Sequence, residues 1–150
     1  MQSAQSPQDE FRLILLTVVQ GAFTAAGYHL IERPVQWAGG LFQFVKQLES
    51  GASASIEFQH LYYREGGPSR FTVTLSRSAA PDGSSALPAV RRSLSALVVE
   101  DFGVAILPSA DHWWVYRNVT ELGRALGEAG SLAVAYGMPW LAGELLPPSD

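Results

Sequence analysis

The sequence predicts an α+β domain in which a mainly antiparallel sheet of four or five strands carries helices on one face. Three observations carry that prediction. Runs along 41–48, 55–63 and 70–76 place Phe42, Phe44 and Leu48, then Ile56 and Phe58, then Phe71, Val73 and Leu75 on one parity. This is the period of two that a half-buried strand shows. The opposite parity holds Gln43, Gln47, Glu57, Gln59, Thr72, Thr74 and Ser76, so one face meets a core and the other meets water, as antiparallel sheets allow. Finally, Glu49-Ser50-Gly51-Ala52-Ser53 and Glu65-Gly66-Gly67-Pro68-Ser69 join these runs. Such connections suit hairpins and leave no room for a crossover helix.

Before the meander, Ser6-Pro7-Gln8-Asp9 is a helix start, with Ser6 as N-cap, Pro7 in the first turn and an acid three residues after the cap. The helix runs to about Ala26, with Phe11, Leu15, Val18, Val19, Ala22 and Ala26 at helical spacing and Gly27 as its left-handed stop. Leu13, Ile14 and Leu16 widen its apolar surface, which predicts cover on more than one side. Leu13 to Ile31 is almost as apolar as a bilayer span, but acidic flanks and interruptions by Gln20, Thr24 and His29 favour a buried soluble helix. Tyr28 to Arg33 reads as an edge strand ended by Pro34, with Gly39-Gly40 making a sharp turn into the meander.

After the meander, residues from about 77 to 87 are Ser, Ala, Pro, Asp and Gly with little to bury, and read as an exposed loop. The ends, about 1–5 and 147–150, read as flexible. Pro88 to Phe102 returns to helical spacing, which would put Arg91-Arg92 in a first turn and Glu100-Asp101 at a solvated end. Val104 to Leu107 is an apolar run ended by Pro108, read as either a strand or a buried connector. His112 to Arg117 is an aromatic strand. Asn118 or Thr120 caps the last long helix, whose inner face is Leu122, Leu126, Ala129, Leu132, Ala133 and Tyr136. Gly123, Gly127 and Gly130 each weaken it by roughly 1 kcal/mol relative to Ala, and close backbone approach to a neighbour is the expected compensation. Gly137-Met138-Pro139 reads as the stop, before a short apolar segment at Pro139-Trp140-Leu141.

Composition limits the function. With 150 residues the chain is long enough to bury a core as one domain, without disulfides or metal. The absence of cysteine excludes a thiolate nucleophile and a Cys-ligated zinc, and leans toward a reducing, cytoplasmic setting. A net charge of -4 with 16% charged residues argues against a nucleic-acid surface, which needs a clustered basic face.

The chemistry-bearing residues do not assemble into a catalytic motif. The histidines at 29, 60 and 112 show no spacing that forces ligands to converge, so no metal or other cofactor is implied. His60 shares the core parity of Ile56 and Phe58 and reads as a sheet-end histidine with a hydrogen-bond partner. Asp111-His112 lacks a serine in a strained elbow, and no glycine-rich phosphate loop follows a strand. Two surfaces remain as candidates. One is the tryptophan strand, His112, Trp113, Trp114 and Tyr116, where neighbouring indoles must point to opposite faces. The other is the polar sheet face, with Gln43 and Gln59 among its donors.

In its order of elements, in Gly27-Tyr28 after the first helix, in its Trp-containing strand and in its closing Pro139-Trp140, the chain resembles a broad set of small bacterial α+β domains of unknown function. That resemblance implies a fold and carries over no catalytic residue. The sequence therefore points to a non-catalytic domain that binds a protein partner or its own copy. The alternative is a small-molecule-binding protein or hydrolytic enzyme with a pocket between sheet and helices, using His60, His112 and a tryptophan wall.

Overall fold

A computed structural model describes residues 6–63, 67–79 and 88–148. Helix α1 spans Pro7–Ala25, and the Ser6 hydroxyl accepts from the Asp9 amide at 3.1 Å, the expected cap. Its buried stripe is Phe11, Leu15, Val19 and Phe23, every fourth residue, with Gln8 on the same side. Val18 and Ala22, expected inward, lie outside, because the larger Phe23 takes the inward place that the predicted stripe assigned to its neighbours. The expected cover on more than one side is met by the sheet and by the last long helix, while Leu13, 51% exposed, and Val18, 36% exposed, face solvent. No helix among the described residues is long and apolar enough to cross a membrane.

The predicted edge strand shrinks to β1, His29–Leu30, and Pro34–Ala38 forms an unpredicted short helix α2, with Pro34 in its first turn where a missing N–H costs nothing. Gly40 then turns the chain at a φ of 87°, where a Cβ would sit 2.1 Å from the His60 carbonyl oxygen, so glycine is required. The meander follows as β2, Leu41–Gln47, β3, Ser53–Leu61, and β4, Ser69–Arg77. Its register sets Phe42 opposite Phe58 and Phe44 opposite Ile56, while Phe58 meets Val73 and His60 meets Phe71. Every inward position of the predicted alternation from Phe42 to Leu75 is buried, except Lys46 and Leu48 at the end of β2 and Tyr62 just past the end of β3.

The far edge of β4 is shared by two strands. β5, Val90–Ser93, pairs with Thr74–Arg77, and β6, Trp114–Tyr116, pairs with Ser69–Phe71, which completes an antiparallel sheet of six strands, one more than the upper expectation. The helix predicted from Pro88 therefore begins only at Leu94. Unpaired edge groups on β4 outweigh a weak helical pattern over Val90–Ser93. The Ser93 hydroxyl caps helix α3, Leu94–Ala96, which widens into a π-helical turn over Leu97–Asp101. Strand pairing also moves the arginines out of a helix. Arg91 joins Glu57 at 3.2 Å, and Arg92 joins Glu100 and Asp101 at 2.9 Å each, so those acids are paired rather than simply solvated. Val104 to Leu107 forms turns rather than a strand, with Leu107 buried.

Helix α4, Val119–Leu132, starts on Asn118, whose side-chain oxygen accepts from the Glu121 amide at 2.9 Å. It lies beside α1, and together they cover the inward sheet face. Of the three, Gly130 fulfils the expected close approach, with Val19 Cγ1 3.0 Å from where its Cβ would stand, whereas Gly123 and Gly127 have nothing within 4 Å among the described residues. Gly137 is not a stop. The chain continues through a π-helical turn, Ala133–Gly137, into helix α5, Met138–Leu141. A Cβ on Gly137 would stand 3.1 Å from Leu75 Cδ2, so the glycine lets this helical stretch lie against the sheet.

Arg77, expected in an exposed loop, is instead the last inward residue of β4 and is buried. Its guanidinium donates to the Pro88 carbonyl at 2.8 and 3.0 Å, to Trp140 at 3.3 Å and to Leu141 at 2.8 Å. The last two are carbonyls at the C-terminal end of α5, where a cation is favoured. Positions 80–87 of the expected loop, and the ends 1–5 and 149–150, lie outside the described residues.

Candidate functional site

The two tryptophans of the β6 segment part as strand geometry requires. Trp114 lies opposite Phe71 and stacks on it with centroids 5.4 Å apart, 4% exposed, while its indole N–H donates to Glu128 at 2.9 Å. His112 meets the Trp114 ring edge-on at 4.7 Å, and its pKa is lowered by burial, against an opposing pull from Glu128. Trp114 and His112 therefore belong to the packing under α4, and Tyr116, also buried, belongs to the core. Trp113 is half-buried.

Trp113 packs on Arg70, a residue of the outward parity of β4. The guanidinium carbon stands 4.7 Å from the Trp113 ring centroid and 5.9 Å from that of Tyr63, so a planar cation lies near two aromatic rings. Arg70 pairs in register with Val115, which is 55% exposed, and with Leu61. Arg70 Nε and Ser55 Oγ, both on outward positions, are buried without a hydrogen-bond partner among the described residues. No periodicity marks Arg70 or Tyr63 as binding residues. The available signal was the outward parity of Arg70, two positions before Thr72, in a strand that later pairs with the tryptophan segment.

The polar face is largely self-satisfied. Gln43 donates to Glu57 at 3.0 Å, Arg91 holds the other Glu57 oxygen, and Ser53 donates to Gln47. Gln59 donates to the Gly39 carbonyl at 3.2 Å and so braces the turn at Gly40. Gln43 and Gln59 are thus committed within the chain.

His60 lies in the core with no exposure. Its Nδ1–H donates to Gln8 Oε1 at 2.6 Å, its Nε2 accepts from the Tyr116 hydroxyl at 2.5 Å, and Phe11 stacks on the ring at 4.2 Å. That pairing selects the neutral tautomer with Nδ1 protonated. Burial lowers the His60 pKa to about 4 and pushes the Tyr116 phenol up to about 12, where the Glu10 charge adds to burial and a hydrogen bond with Ser69 opposes it. With both nitrogens occupied and no exposure, His60 is no general base for an outside substrate. It pins α1 to the sheet. Gln8 escaped the sequence reading, although a polar residue on the Phe11 stripe and a histidine on the core parity are the signature of such a pair. A cleft of about 320 Å³ lined in part by Glu10, Ser69, Tyr116, Arg117 and Asn118 lies beside it.

His60 and His112 thus serve separate clusters, the first with Gln8 and Tyr116 and the second with Trp114. Comparison of the chain with protein-family models, with curated proteins and with solved structures returned no match.

Proposed function

We propose that this chain is a non-catalytic protein-binding domain that engages its partner at the Trp113–Arg70–Tyr63 corner of the sheet. One observation carries the reading: a Trp–Arg–Tyr cluster on the outward side of the sheet, with Arg70 Nε buried without an acceptor among the described residues and exposed Val115 beside it. Trp, Tyr and Arg are enriched among the side chains that dominate interface energetics, because they bury much area and keep a polar handle. The partner that fits lays apolar side chains on Trp113 and Val115. Its setting is the cytoplasm, in keeping with the cysteine-free sequence.

The test places a photo-crosslinking amino acid at Val115 in the native host and compares wild type with Trp113→Ala and Arg70→Ser. The proposal expects one discrete crosslinked protein, lost in both variants while their thermal unfolding stays close to that of wild type. A crosslink that survives both substitutions, or no crosslink above an exposed control site such as Val35, overturns it.

A further inference from the structure

The opposite side of the molecule carries a second surface, independent of the tryptophan corner. Between Arg12 and Glu32 the sequence has no charged residue, although the outer side of α1 there, including Leu13, Thr17, Val18 and Gly21, faces solvent. Exposed surface ordinarily carries charge at a quarter or more of its positions, roughly. Beside this charge-free ridge runs an apolar groove of about 400 Å³ between α1 and α4, lined by Val18, Ala22, Phe23, Gly127, Gly130 and Val134. Gly123 and Gly127 leave α4 bare at a cost in helix stability that no neighbour among the described residues recovers.

The charges at the two ends of α1 say what fits. Asp9 and Glu10 stand exposed in its first turn, at the ridge's start. At its other end lies Lys46, the only lysine in the sequence, with its Cε 3.1 Å from where a Gly27 Cβ would be and with no ion pair among the described residues. A helix of 19 residues is about 28 Å long. An antiparallel two-fold pairing of α1 with α1 from another copy therefore brings the acids of each onto the lysine of the other, and the bare ridge onto the bare groove. Two-fold interfaces are self-complementary in this way, and their buried centres are depleted of charge.

We propose that a second copy of this chain docks its α1 ridge in the α1–α4 groove, forming a two-fold dimer with Asp9 and Glu10 facing the partner copy's lysine. The dimer leaves the tryptophan corner free, so either proposal can fail alone.

The test is sedimentation equilibrium of wild type, Gly127→Arg and Val18→Glu, with circular dichroism to show that each is folded. A zero-length carbodiimide crosslink on a mixture of isotopically light and heavy chains accompanies it. The expected result is a wild-type dimer at micromolar concentration that becomes a folded monomer in either variant. Mixed-isotope links should join Lys46 to Asp9 or Glu10. Glu49 and Glu144 line the same hollow as Lys46, so any links to them should be within one chain and carry a single isotope. A wild-type monomer overturns the proposal, and if a photo-crosslinker at Val18 then captures a different protein, the groove belongs to that partner. A dimer that persists in both folded variants, or whose mixed links lie elsewhere, also overturns it. Should one variant fail to fold, the other decides.

Discussion

The Tyr116 hydroxyl donates to His60 Nε2 at 2.5 Å inside the core, and Gln8 accepts from the other ring nitrogen at 2.6 Å. Three polar side chains from α1, β3 and β6 thereby close a chain of hydrogen bonds at the start of α1. Their energetics depend on the ring staying neutral.

Acid should therefore weaken the fold in a defined window. The His60 pKa is about 4 when folded, against 6.5 for the free side chain, so the unfolded state binds the extra proton. Its stability contribution is complete above 6.5 and falls as pH drops toward 4, by roughly 3 kcal/mol over the window. Urea unfolding at a series of pH values checks this, and His60→Asn should flatten the slope by close to one proton.

Tyr116→Phe removes the donor to His60 Nε2 without changing ring volume. A buried acceptor left unsatisfied costs about 1–3 kcal/mol. The coupling between Tyr116→Phe and Gln8→Ala in a double-mutant cycle should be non-zero, because the same imidazole links them. Additive effects would show that the chain of bonds does not act as a unit.

The adjacent tryptophans should separate cleanly. Trp114→Ala empties a site stacked on Phe71 and frees Glu128, at a cost of about 3–5 kcal/mol. Trp113→Ala, which loses contact with Arg70 on the outward face, should cost on the order of 1 kcal/mol or less. Thermal unfolding of the two variants reads the difference directly.

Arg77→Met keeps much of the buried stem but orphans the Pro88, Trp140 and Leu141 carbonyls. Destabilisation of about 2–4 kcal/mol is expected. Hydrogen exchange over 138–145 should accelerate more than over β2 and β3, because Arg77 is the tie between β4 and α5. Uniform acceleration would deny it that local role.

Much of the sheet was legible because alternation is a local signal: residues from Phe42 to Leu75 announce their faces two at a time. The cap at Ser6 was equally plain, since it needs only its own helix, whereas Asn118 was one of two candidates beside Thr120. Strand β5 was not legible, because Val90–Ser93 is strand only by virtue of the free edge of β4. Arg77 was hidden by stopping the alternation one residue early, at a charge that needed carbonyls more than sixty positions away. At the site, parity alone told that one indole faces in and one out. That Trp114 is the inner one follows from its register with Phe71.

The sequence by itself determined the α+β class, the antiparallel meander, the helices at both ends and the inward parity of His60, all consequences of side-chain period and cap chemistry within a few residues. Only the tertiary structure decided that Gln8 and Tyr116 complete the histidine, that Arg70 and Tyr63 join Trp113, and that Gly123 and Gly127 face open space. Those relationships join residues remote in the chain, and their energies exist only once hydrogen-bond registry and the packing of α1 against α4 have brought the partners together.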